Sequence, residues 1–251
     1  MEIFIVNLSK AVDKREYMRE QLDRLKISNY RFVEAIYGKN LPESFFIDGV
    51  DNYPKCSLTK SEIGCALSHL KIYQEMVDAS LPYAIILEDD VVLPDDFKEF
   101  SEKISESIDH SSSKVISLGK ANKITLLRKY FSYNSYGEYT AVTGFGTYAY
   151  VINLAAAKSL LQHLMPIRYE ADMFMHFREN GWLKYFRVFY PQYVHVIDDH
   201  DAQSDIFIER DQLKQKRHQY KKYVLLKKRS IWLRLKNRMR RIFWKIKQIR
   251  N

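Results

Sequence analysis

Three consecutive acids, Glu88-Asp89-Asp90, follow directly on an apolar run, Tyr83-Ala84-Ile85-Ile86-Leu87. Open α/β sheets place their ligands beyond the carboxyl ends of the strands, where this run would stand. Packing three carboxylates together costs repulsion unless a cation or solvent relieves it. Hard oxygen ligands suit Mg2+ or Mn2+, and such an ion can bridge a diphosphate and stabilise it as a leaving group. The competing reading is a solvated turn with capping acids. Further along, His195-Val196-Ile197-Asp198-Asp199-His200-Asp201 is rich in ligand types. His195 or His200 could complete the cation's shell, because imidazole is acceptable to Mn2+. That spacing forms no closed metal site, and a polar surface loop is the alternative. Arg15 could reach a diphosphate through its guanidinium, or stand solvated on an exposed helix.

The elements that must position these groups alternate. Residues 3–8 form a short buried run of the parallel-strand type. Apolar and long side chains at helical spacing predict a helix over 13–25, and 30–35 reads as a second strand. Thr59-Lys60-Ser61-Glu62 fits a capping box, followed by a stripe of Ile63, Ala66, Leu67, Leu70, Tyr73, Met76 and Val77. Pro94 with Asp95 and Asp96 opens another helix. Residues 114–118 suit a strand, 119–140 a loop-rich insertion, and 140–152 a strand with close backbone approach at Gly144 and Gly146. Asn153 is placed to cap a helix over 154–165. Strands alternating with helices imply an α/β domain with a mainly parallel sheet.

With 46% apolar residues over 251 positions the chain can bury a core, which excludes a disordered class. The net charge of +9 is concentrated: residues 212–251 hold 16 Lys and Arg and no acid. Two cysteines, Cys56 and Cys65, make no disulfide framework, so a reducing compartment is expected. The first residues read as a strand, not a leader, and no run approaches the roughly 20 apolar residues of a spanning helix. The chain is therefore expected in the cytoplasm. Ile231, Leu235, Met239, Ile242, Phe243, Ile246 and Ile249 recur every three or four residues, flanked by Trp232 and Trp244 among Lys and Arg. A basic helix with such a face lies naturally on an anionic membrane, here through residues 228–250. Packing on the body or a second subunit is the alternative; nucleic acid is disfavoured, since phosphate contacts need no apolar side.

The order of motifs resembles glycosyltransferase family 25. Asn7-Leu8 with Arg15, Glu62-Ile63-Gly64-Cys65-Ala66-Leu67-Ser68-His69, Leu87-Glu88-Asp89-Asp90, Gly146-Thr147-Tyr148-Ala149-Tyr150-Val151-Ile152 and then Asp172 carry it, over roughly residues 1–208. The resemblance implies a GT-A-like, Rossmann-type sheet flanked by helices, as the catalytic domain 1–211, with residues 212–251 as a basic helical tail. It implies transfer of galactose from UDP-galactose with inversion, with lipooligosaccharide as acceptor on the inner face of a bacterial membrane. A D-x-D motif in such enzymes holds the cation and the ribose, and Glu88 and Asp90 correspond to it around Asp89, with Asp90 expected as principal ligand. Inverting transfer needs one general base, and Asp172 matches the family's downstream acid, with Glu170 as competitor. Glu62, Ser68 and His69 are expected near the donor, and Asn7 near the uracil. The other class of function is a non-catalytic membrane or nucleic-acid adaptor, which leaves the acids unexplained.

Overall fold

The structure, a computed structural model, describes residues 1–251 apart from 109–110, 145, 198–204, 245 and 249–251. Strand β3 (Tyr83–Glu88), third from one edge of the main sheet, is wholly buried from Ala84 to Leu87. It pairs in parallel with β1 (Glu2–Asn7), which pairs in parallel with β2 (Tyr30–Glu34). On its other edge runs β8 (Ala149–Asn153), antiparallel, followed by β5 (Lys114–Ser117) and β9 (Tyr185–Tyr190). The long hairpin β6 (Ala121–Tyr133) and β7 (Tyr136–Gly144) continues the sheet, and β11 (Ile246–Gln248) closes it, giving nine strands ordered β11-β6-β7-β9-β5-β8-β3-β1-β2. Six strands (β1, β2, β3, β5, β6, β9) run one way and three run back, so the sheet is mostly parallel in direction. A two-stranded ribbon of β4 (Val91–Val92) and β10 (His195–Val196) stands beside it.

Helices cover both faces because successive strand residues point to opposite sides. Phe4, Ala84, Ile86, Tyr150 and Ile152 pack under α3 (Lys60–Asp78) and α5 (Leu154–Leu164). Ile3, Ile5, Ile85, Leu87 and Val151 pack against α1 (Val12–Arg24) and α4 (Phe97–Ser107). The helix starts follow the sequence signals. Thr59 Oγ1 accepts from Glu62 N at 3.0 Å while Glu62 Oε2 accepts from Thr59 N at 2.9 Å, and Asn153 caps α5 through Ala156 N at 3.0 Å. Short helices α2 (Glu43–Gly49) and α6 (Phe174–Glu179) complete the body.

Two expectations change. Residues 119–140 are not loop-rich: they form most of the β6–β7 hairpin, whose four register shifts scramble the side-chain alternation that would have announced it. The helix expected over 228–250 is α8 (Ile231–Phe243), and the chain beyond it turns extended, with Ile246–Gln248 pairing on the free edge of β6.

One helix, α7 (Asp205–Tyr220), carries the chain across residue 211 into the basic segment, and that segment is fastened to the body by buried ion pairs. Arg217 grips both oxygens of Glu170 at 3.1 and 2.8 Å and donates to the carbonyls of Cys56 and Arg168, while Lys221 adds a third contact to Glu170. Arg229 and Arg241 both pair with buried Glu179. Burial acts to raise both carboxyls, but Arg217 and Lys221 at Glu170, and His176, Arg241 and Arg229 at Glu179, outweigh it and hold each well below the usual carboxylate range. A depressed folded pKa stabilises fully above the unfolded value of about 4.3 and is lost as pH falls below it. Stability should therefore drop steeply below about pH 4.5, and Arg217→Met, which strands the Glu170 charge, should cost about 3–5 kcal/mol in urea unfolding at pH 7. A cost under 1 kcal/mol would mean the pair is open to water.

Candidate active site

Strand alternation divides the acid run. Ala84 and Ile86 face α3, and so does Glu88; Asp89 faces α1. Glu88 accepts from the Thr147 hydroxyl at 2.5 Å and lies 3.7 Å from His69 Nε2. Thr147 is there because β8 runs back along β3, with Glu88 N bonded to Tyr148 O at 2.8 Å. Burial tends to raise the Glu88 carboxyl, yet His69 and Thr147 outweigh it and its pKa lies below the ordinary value.

On the α1 side, Asn7 at the end of β1 donates to Asp89 Oδ2 at 2.7 Å. Lys14, on the first turn of α1, lies 3.4 Å from Asp89 Oδ1 and 3.1 Å from Asp90 Oδ2. Burial and the charge of Glu88 push the Asp90 carboxyl up, against the pull of Lys14. Burial would lower the Lys14 ammonium, and the charges of Asp90 and Asp89 hold it above its usual value instead. Two carboxylates from adjacent residues thus converge on one cationic point. An all-oxygen donor set of that kind fits a hard divalent cation.

Below the sheet edge, Glu62, Cys65, Glu88, Gly146, Thr147, Asp172 and Arg210 line a cleft of about 190 Å3. Asp172 Oδ2 accepts from Gly146 N at 3.1 Å, while its Oδ1 is buried without a partner. Gly146 sits at φ +88°, a conformation suited to glycine, and a Cβ there would meet the Tyr148 ring. Burial, then the charge of Glu170, raises the Asp172 carboxyl above its usual range. Its side chain does not cap α6, which begins without a side-chain cap. Glu170 lines the same cleft but is committed to Arg217 and Lys221 and held far toward the anion, whereas Asp172 keeps one carboxyl oxygen without a partner.

Arg15 stacks its guanidinium 4.5 Å from the Phe32 ring centre, so its neighbour Lys14 is the cation at the acids. Ser68 serves the scaffold: its hydroxyl donates to Gly64 O and accepts from Ile36 N, both at 2.8 Å, and it is almost wholly buried. Glu62 keeps its capping role and holds Arg210 Nε at 2.8 Å. His195 is exposed on β10, paired opposite Val92, and among the described residues no converging ligand group includes it or Asp90. Asp90, Glu88 and His195, the expected metal ligands, are therefore not brought together: Glu88 turns to the α3 face, Asp90 lies at Lys14, and His195 stands exposed on β10. His200 lies outside the described residues. Sequence reasoning missed Lys14, Thr147 and Arg210. Lys14 adjoins Arg15 on the first turn after β1, and Thr147 lies within the Gly146 motif, whereas Arg210 gave no signal.

Fold and site together define an α/β domain with a polar cleft at the carboxyl end of β3. Residues 1–175 match the profile "Glycosyltransferase family 25 (LPS biosynthesis protein)", and the chain belongs to that family. Human inactive glycosyltransferase 25 family member 3 is 30% identical over 177 residues, covering 66% of this chain and 29% of the relative. Human procollagen galactosyltransferase 2 is 31% identical over 170 residues, covering 64% and 27%. The chain thus spans under a third of the length of these relatives. Among solved structures, a glycosyltransferase involved in glycosylation of the major capsid of PBCV-1 aligns over 65% of each chain at 12% identity, with a TM-score of 0.31, too low to carry an argument.

Proposed function

We propose that the chain is an inverting glycosyltransferase that moves galactose from UDP-galactose to a lipooligosaccharide acceptor at the inner face of a bacterial membrane. The observation that carries this reading is the meeting of Glu88 and Asp172, far apart in sequence, across one cleft, with the paired carboxylates of Asp89 and Asp90 following Glu88 at the same strand end on the α1 side. A galactosyltransferase among the relatives and the lipopolysaccharide description of the family support the choice of sugar and acceptor. Asp89 and Asp90 would hold Mn2+ or Mg2+, which when bound neutralises charge on the leaving diphosphate. Lys14 then supplies a second positive charge at the same end, Asn7 fixes Asp89, and Glu88 addresses the donor from the cleft. Asp172 takes the proton of the acceptor hydroxyl as that oxygen attacks the anomeric carbon, and its unpartnered Oδ1 is the atom free to do so.

Membrane attachment is the second part of the reading. Helix α8 is fastened by its polar side: Asn237 is buried and donates to Glu179 O at 2.9 Å, and Arg241 pairs with Glu179. Its apolar side faces outward, with Trp232 82%, Phe243 69% and Ile242 66% exposed. A helix that docks its polar side and presents Ile, Trp, Leu, Met and Phe among Lys and Arg suits the interface of an anionic bilayer. No helix among the described residues is long and apolar enough to cross a membrane.

Nucleotide release from a panel of UDP-sugars, with Mn2+ and truncated lipooligosaccharide as acceptor, tests the reading. Turnover with UDP-galactose well above that with UDP-glucose supports it. No release with any donor would overturn it and favour a non-catalytic adaptor.

A further inference from the structure

Opposite the hard carboxylate pair, the α3 side of the sheet edge carries a different set of ligand atoms. Cys65 and His69 lie one helical turn apart on α3, so both side chains point the same way. Cys65 Sγ, a ring nitrogen of His69 and a carboxylate oxygen of Glu88 lie within 4.8 Å of one another. His69 is 2% exposed, and its Nε2 is buried with no hydrogen-bond partner, facing Glu88. Its other nitrogen, Nδ1, is held by Tyr150 OH at 2.7 Å, which in turn bonds Tyr73 OH at 2.9 Å. Metal-binding imidazoles characteristically have the second nitrogen anchored in this way, which fixes the ring and leaves a lone pair on the first. Thr147 holds Glu88 through Oε1, the same oxygen that lies 3.7 Å from His69 Nε2.

We infer that Cys65, His69 and Glu88 form a site for a borderline divalent cation of the Zn2+ class, distinct from the hard-cation pair at Asp89 and Asp90. Sulfur, nitrogen and oxygen together match zinc and do not match Mg2+ or Mn2+. Tetrahedral zinc places its ligand atoms about 3.5 Å apart, so the pocket needs to contract by roughly 1 Å. The Cys65 thiol gives up its proton to solvent as the metal–sulfur bond forms. Three protein ligands leave the fourth position open, and it faces the cleft that Cys65 and Glu88 line. A metal held there takes Glu88 away from the donor, so Zn2+ acts as an inhibitor. That consequence rests on the transferase reading; the site itself does not.

The test is titration of the purified, chelator-stripped full chain with Co2+ as spectroscopic probe. One equivalent should produce a thiolate-to-cobalt charge-transfer band that Zn2+ abolishes by displacement. Cys56→Ser should keep the band, and Cys65→Ser should lose it, with Zn2+ affinity falling about 100-fold or more. Tyr150→Phe retains all three ligands and should weaken binding about 10–100-fold through the lost anchor, which guards against a Cys65 variant that fails to fold. Absence of a thiolate band at saturation in the native chain, or its survival in Cys65→Ser, overturns the proposal. Zinc-edge absorption showing oxygen neighbours without sulfur does so too. A chain that binds Co2+ through Cys65 yet transfers no sugar keeps the site and defeats the transferase reading alone.

Discussion

Asp172→Asn should lower kcat by about 10²–10⁴-fold while UDP affinity stays unchanged, because the substitution removes a proton acceptor and nothing else. Asparagine has the same shape and still offers an oxygen to Gly146 N, so the 3.1 Å contact survives. The orphan Oδ1, in contrast, becomes a group that cannot take a proton. The pH profile supplies an independent readout. A base works only when deprotonated, so kcat/KM rises with pH through the pKa of the free enzyme's base. Burial and the charge of Glu170 raise the Asp172 carboxyl, so this limb should lie above the ordinary aspartate value of about 3.9 and vanish in Asp172→Asn. Glu170→Gln, which disturbs the Arg217 anchor, should reduce stability and shift the limb downward by removing a neighbouring charge. A kcat for Asp172→Asn within tenfold of the native value would move the base elsewhere.

The second large effect concerns the outward face of α8. Replacing Trp232, Ile242 and Phe243 together by serine should lower partition onto anionic vesicles by about 30- to 1,000-fold. Each such side chain contributes about 1.5–3 kcal/mol when fully buried, and interfacial insertion at half depth still leaves roughly 2–4 kcal/mol for the three. The loss should persist at high salt, since it removes no charge, whereas raising salt should weaken the native chain through its Lys and Arg. Because these side chains are 66–82% exposed, the thermal midpoint should hardly move. Unchanged vesicle sedimentation with an unchanged melt would show that this face serves another partner.

The sequence made the elements around the site legible where one signal dominated. The capping box at Thr59, the Asn153 cap and the buried run of β3 were each local, and each was realised where expected. The β6–β7 hairpin was hidden by its register shifts, and the end of α8 by a partner strand far away in sequence, since a free sheet edge decides what local periodicity cannot. Within the site, the acids at the end of β3 and Asp172 could be singled out, but not how they divide. The alternation that sends Glu88 toward α3 and Asp89 toward α1 depends on which helix covers which face. Lys14 was overlooked in favour of Arg15, because a one-residue step around a helix decides between stacking on Phe32 and reaching Asp90. Arg210 reaches Glu62 only through the path of α7, which nothing local encodes.

The central claim is that the paired carboxylates at the end of β3 hold a cation that in turn holds a nucleotide diphosphate. Calorimetric titration of UDP into the full chain, with and without Mn2+, tests it most directly. The account predicts UDP binding that requires Mn2+ and is lost, by at least about tenfold in affinity, in Asp90→Asn, with the fold intact by circular dichroism. UDP binding that is equally tight without the metal, or that survives Asp90→Asn unchanged, would contradict it.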